Sequence, residues 1–127
     1  MFNVNVVAPV RVAQALQTLL TAGTAPRVVN ISSGAGSLTY KTEAGEYSYA
    51  ASKAGLNMMT RTYAWNVRDR GITAVMIDPG WVKTDMGGAG ADLEPEESGC
   101  GLLFVIDGLT LEDTGRFLHY DGSEVPW

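Results

Sequence analysis

A chain of 127 residues, 46% hydrophobic and 18% charged, has room for one modest domain with a packed core, and is too apolar to stay disordered. Nine Lys and Arg against fourteen Asp and Glu leave a net charge of −5. That balance argues against nucleic acid and membrane surfaces as partners and points to small molecules. The single cysteine, Cys100, has no internal disulfide partner and reads as a small packed residue. No apolar run approaches the roughly 18 residues of a membrane span and no leader pattern opens the chain, so a cytoplasmic setting is expected.

In chain order, the opening is ambiguous. Phe2, Val4 and Val6 alternate with Asn3 and Asn5 like a strand, whereas Val12, Leu16, Leu19 and Leu20 keep helical spacing; pattern alone leaves residues 2 to 8 undecided. Arg27 to Ile31, apolar after Pro26 and closed by Ser32 and Ser33, predicts a short buried strand. Tyr47 to Arg70 predicts the clearest helix, with Ala51, Leu56, Met59, Tyr63 and Val67 at helical spacing and Gly71 as its stop. Thr73 to Ile77 predicts a second strand, ended by Asp78-Pro79-Gly80, because proline cannot donate to a ladder.

The glycine-rich stretch Gly87 to Asp92 reads either as a substrate lid or as a plain linker. Glu94-Pro95-Glu96-Glu97 has the acids and proline of a first helical turn. The helix after it would carry Leu102, Leu103, Val105 and Ile106 and end near Gly108. Arg116 to Tyr120, between Gly115 and Asp121-Gly122, is a weaker third strand. Strands separated by helical crossovers imply an α/β fold with a parallel three-stranded sheet. Ligands in such sheets sit at the carboxyl ends of the strands, where Ser33 and Gly80 lie.

Tyr49 and Lys53 are four residues apart, so both side chains lie on one face of the predicted helix. A free tyrosine ionises at a pH of about 10, and a neighbouring ammonium together with a helix N-terminus favours its proton exchange near neutrality. Alone, Tyr-x-x-x-Lys is a weak signal, more often an amphipathic helix than a site. Tyr47, two residues earlier, has no such lysine. His119, the only histidine, shows no obvious carboxylate and serine partners and reads as structural. One His and one Cys give no metal site.

Together, VVNISS, YSYAASKAG and DPGWVKTDM resemble the short-chain dehydrogenase/reductase family, in the family's order and approximate spacing. The tail, from Thr84 through Tyr120-Asp121-Gly122 to Pro126-Trp127, looks most like the C-factor and sniffer-type carbonyl reductase branch. The resemblance implies the C-terminal part of a Rossmann-like doubly wound parallel sheet and an NAD(P)-dependent oxidoreductase of a carbonyl or alcohol. It matches Tyr49 to the proton donor and acceptor, Lys53 to the residue that binds the nicotinamide ribose, and Ser33 to the hydroxyl that holds the substrate oxygen. Asn5 matches the asparagine that organises a water beside the lysine, which would make the opening a helix. Pro79, Gly80, Val82 and Thr84 match the segment that orients the nicotinamide ring.

The family's glycine-rich phosphate loop does not occur in this sequence, nor does the residue that separates NAD from NADP. Met1 falls at or just before the family's fifth helix, so residues 1 to 127 are expected to be one partial domain lacking the N-terminal nucleotide-binding part. One edge of the strand Arg27 to Ile31 is then without a partner. The family commonly dimerises through the helices matching the opening segment and Tyr47 to Arg70, implying a homo-oligomer. A competing reading, prompted by the absent phosphate loop, is a non-catalytic binding or signalling fragment.

Overall fold

The computed structural model describes all 127 residues. The opening is helical: Asn3–Val7 form one π-helical turn that runs into α1 (Ala8–Ala15), followed by α2 (Gln17–Ala22). Pro9 accounts for the wide turn, since it has no N–H to offer the Asn5 carbonyl and its ring would crowd that oxygen in a regular α-helix. The strand-like alternation fails because the face that packs is Val6, Val10 and Ala13, at helical spacing. Val4, Val12, Leu16 and Leu19, among them three of the positions expected to face inward, are exposed instead.

Three parallel strands, β1 (Arg27–Ile31), β2 (Thr73–Asp78) and β3 (Phe117–His119), lie in the order β1-β2-β3. Every residue of β2 is buried, as a central strand requires, while β1 is only half-buried and has one free edge. β2 extends one residue beyond expectation to Asp78, which pairs with His119. β3 is shorter than Arg116 to Tyr120. Gly115 turns with φ 81° before it, and the His119 amide leaves the ladder to donate to the Ser123 carbonyl at 2.8 Å.

Helices cover both faces. α3 (Tyr47–Val67), whose predicted last turn tightens to a 3₁₀ turn at Arg68–Arg70, closes one side. Tyr63, Ala64 and Val67 pack there with Val10, Ala13, Ile72 and Ala74. The opposite face, Val75, Ile77 and Leu118, is covered by Val105 and Leu109 from α4 (Pro95–Gly108) and the residue after it. Alternate residues of β2 therefore face opposite sides, Val75 and Ile77 into this second cluster, Ala74 into the first and Met76 into a third with Phe117 and Val125, the period-two signature of a strand buried on both sides. The expected apolar face of α3 is partly revised, since Ala51 and Met59 are exposed. Cys100 is likewise exposed on α4, not packed, beside the exposed Leu103 and Phe104.

The stretch Gly87 to Asp92 is tied down at both ends. Trp81 Nε1 donates to the Gly87 carbonyl at 2.9 Å, the Gly88 amide to Thr84 O at 2.8 Å, and Val82 and Leu93 form an isolated parallel bridge. Lys83 and Glu94 form an ion pair across its base. No helix of the chain is long and apolar enough to cross a membrane.

Candidate active site

The carboxyl ends of β1 and β2 and the start of α3 converge because of a close approach at Gly36. After β1 the chain makes a 3₁₀ turn, Gly34–Gly36, capped by Ser33 Oγ, which accepts the Ala35 amide at 3.1 Å. A Cβ on Gly36 would lie 2.9 Å from the Lys53 carbonyl carbon and 3.0 Å from the Ala54 nitrogen, so only glycine lets this turn rest on α3. Below it, Ser32 Oγ donates to Asn57 Oδ1 at 2.5 Å and Asn30 Nδ2 to Thr60 Oγ1 at 2.7 Å. These bonds, the first of them fully buried, fix β1 against the helix.

Above this junction opens a cleft of about 700 Å³ lined by Ser33, Tyr49, Asp78, Pro79, Gly80, Val82 and Thr84. Six of the eight residues singled out from sequence thus share one cavity. Tyr49 is half-buried at its wall, whereas Tyr47 is 85% exposed and lies outside. Glu46, which precedes α3 in the left-handed region with φ 54°, sits on the rim and bends the chain into the helix. Trp81, Met86 and Leu102 give one wall an apolar character.

Lys53 and Asn5 stand behind the cleft. Lys53 Nζ donates to the Ile31 carbonyl at the end of β1 at 3.0 Å and lies 5.8 Å from the Tyr49 ring centroid. Burial pushes its ammonium below the ordinary lysine value, with the Asp78 charge pulling the other way. Asn5 Nδ2 donates to Ser52 Oγ at 3.2 Å, and that hydroxyl donates to the Tyr49 carbonyl at 2.8 Å. Asn5 is therefore connected to the helix turn that carries both Tyr49 and Lys53.

Gly80 turns with φ 79°, and a Cβ there would come within 2.5 Å of Leu93 and 3.2 Å of the Tyr120 ring. The backbone beside the cleft must stay bare at this point. Ser98 Oγ donates to the Pro79 carbonyl at 2.6 Å, pinning the turn to α4.

Sequence reasoning missed Asp78 as a lining residue, treating it as part of a strand stop. It also missed the partners of His119. That ring does have a carboxylate partner, Asp78 Oδ2 at 2.9 Å from Nδ1, and a hydroxyl, Tyr40, 3.4 Å from Nε2. The pairing joins residues 41 positions apart on neighbouring strands, and only the sheet register reveals it.

Comparison with known proteins agrees with this architecture. Residues 1–93 match the short chain dehydrogenase family. The chain is 45% identical over 126 residues to the C-signal of Myxococcus xanthus, covering 99% of this chain and 76% of that protein. It is 35% identical over 129 residues to the 1-hydroxy-2-glutathionyl-2-methyl-3-butene dehydrogenase of a Rhodococcus, covering 98% and 56%. Its fold superposes on the carbonyl reductase Sniffer of D. melanogaster with a TM-score of 0.94 at 32% identity, spanning 99% of this chain and 55% of that one. The NADPH-bound carbonyl reductase from chicken fatty liver gives 0.91 at 38% identity, with 99% and 55% covered. The chain thus spans about half the length of these reductases. On the family match and on these relatives, the chain belongs to the short chain dehydrogenase family.

Proposed function

We propose that this chain carries the catalytic residues of an NAD(P)-dependent oxidoreductase that interconverts a carbonyl and an alcohol, with Tyr49 as proton donor and acceptor. The observation that supports it most is the meeting of Ser33, Tyr49 and the Pro79 to Thr84 segment in one cleft, with Lys53 directly behind. A place at the carboxyl ends of parallel strands is where this architecture binds ligands.

The residues present suit the nicotinamide end of NAD(P). Gly80 leaves the backbone uncovered at the cleft wall, Val82 and Thr84 continue that wall, and Lys53 supplies a half-buried cation beside it. When bound, the nicotinamide supplies or accepts the hydride. The Tyr49 hydroxyl gives its proton to the substrate oxygen in reduction and takes it back in oxidation. Ser33 Oγ already accepts the Ala35 amide, which leaves its O–H to donate to the same substrate oxygen. Lys53 holds positive charge near Tyr49 and offers N–H donors to the ribose. Asn5, linked through Ser52 to the Tyr49 carbonyl, completes the set by organising a water beside the lysine. Catalysis on this scheme is chiefly positioning and polarisation of a small-molecule carbonyl.

On this reading residues 1–127 form one partial domain of the dinucleotide-binding fold, in a cytoplasmic protein. The exposed Val4, Val12, Met58 and Trp65 on the opening helices and α3 suit the family's homo-oligomer contact. Light scattering at micromolar concentration should report an oligomer, and a monomer would contradict that part.

Titration of the intact gene product with NADPH and NADH, followed by nicotinamide fluorescence, tests the cofactor assignment. Saturable binding that weakens at least about tenfold in Lys53→Ala is expected, from loss of a charged hydrogen-bond donor. Binding untouched by the substitution would remove Lys53 from the site, and no binding of either nucleotide by the folded protein would end the oxidoreductase reading.

A further inference from the structure

Asp78 and His119 are the last residues of β2 and β3, and they face each other in the register of the sheet. Asp78 is 7% exposed, and each of its carboxylate oxygens is engaged. Oδ1 accepts the Gly80 amide at 3.3 Å, and Oδ2 lies 2.9 Å from His119 Nδ1. A carboxylate buried to this degree needs donors, and a ring N–H on one oxygen fixes the rotamer that brings the other to a backbone amide.

His119 is held in turn. Its amide donates to the Ser123 carbonyl at 2.8 Å, and Nε2 lies 3.4 Å from the Tyr40 hydroxyl. The two rings stack with centroids 6.2 Å apart and an interplanar angle of 25°. A carboxylate on Nδ1 and a hydroxyl able to donate to Nε2 select the Nδ1–H tautomer.

The Asp78 carboxylate also borders the segment that carries Ser33. A Cβ on Gly34 would lie 3.5 Å from Asp78 Oδ2 and 3.6 Å from Tyr40 Cδ2. One acid therefore stands between the backbone that presents the serine hydroxyl and the glycine turn at the other wall of the cleft. The bond to Gly80 is long for an N–H···O contact, so its geometry depends on how firmly the carboxylate is held.

We propose that Asp78 and His119 are positioning residues: His119 fixes the Asp78 carboxylate, which holds the Gly80 amide and so sets the Pro79-Gly80 backbone that meets the nicotinamide ring. This rests on the oxidoreductase reading above and adds to it a pair of residues that act through the Gly80 backbone. Tyr40 is the outer support of the pair. Its loss should be felt less than that of His119, because its contact is the longer.

The test compares binding of NADPH or NADH, whichever the protein takes, with binding of the matching ADP-ribose, which lacks the nicotinamide. Calorimetry on the intact gene product is run for wild type, His119→Ala, His119→Asn and His119→Gln. The Asn amide nitrogen can stand where Nδ1 stands, and that of Gln cannot. His119→Ala and His119→Gln are expected to weaken the full cofactor about tenfold, with ADP-ribose changed less than about twofold and His119→Asn within about threefold of wild type. Should His119→Ala fail to fold, the Asn and Gln variants still decide, and hydrogen exchange of the Gly80 amide should be faster in Gln than in Asn. Equal binding by Asn and Gln variants, or parallel loss of cofactor and ADP-ribose, overturns the positioning role alone. Failure of the folded wild type to bind either nucleotide overturns the oxidoreductase reading and this inference with it.

Discussion

At the scale of residues, the site separates side chains that face the cleft from one that works from behind. Tyr49 and Ser33 line the cavity, while Lys53 is drawn back to the Ile31 carbonyl. Burial lowers the Lys53 value and Asp78 opposes this, which gives a sign for stability. The folded form holds this proton less tightly than the unfolded chain. Lys53 therefore subtracts stability at neutral pH, and the deficit is relieved as pH rises through the folded value toward 10.5, the ordinary lysine value. The stability of Lys53→Met relative to wild type should accordingly fall between pH 7 and that value. Urea midpoints of both proteins across the range would show it, and a difference that grows with pH would refute the burial argument. Spacing made Tyr49 and Lys53 legible, whereas Asp78 and His119 stayed hidden because their partnership exists only across neighbouring strands.

At the scale of elements, the strands and the two longer helices were readable because each carries its own period and its own stop. The opening was not, since the five residues Phe2 to Val6 satisfy period two and the deciding fact is tertiary: Val6 packs 3.3 Å from where a Cβ on Gly55 would stand. Pro9 hinted at the π turn, yet a proline alone does not say whether a helix breaks or widens. The lid-or-linker choice for Gly87 to Asp92 could not be made from composition, because the ties that hold it, Trp81 to Gly87 and Lys83 to Glu94, come from flanking side chains. The joint between the turn after β1 and α3 makes the sharpest prediction at this scale. Gly36→Ala forces a Cβ against the helix backbone at 2.9 Å and should cost about 1–3 kcal/mol, read as a lowered urea midpoint with unchanged slope. A neutral substitution would mean that the turn and the helix are not in firm contact.

At the scale of the whole molecule, a buried central strand, helices on both faces and a cleft at the carboxyl ends account for why residues from 33 to 84 line one cavity. That the three strands run parallel followed from strand and helix alternation alone, and the free edge of β1 was expected and is present. What no pattern could supply is the shape of the cleft, since its apolar wall joins Trp81, Met86 and Leu102 from different segments. The central claim is that Tyr49 moves the proton while hydride passes between nicotinamide and carbonyl. Single-turnover oxidation of bound NADPH by a carbonyl substrate, in the intact gene product and its Tyr49→Phe variant, tests it most directly. The account predicts a rate at least about 100-fold lower in the variant, the usual contribution of a general acid, with cofactor affinity preserved. An undiminished rate in Tyr49→Phe would contradict it.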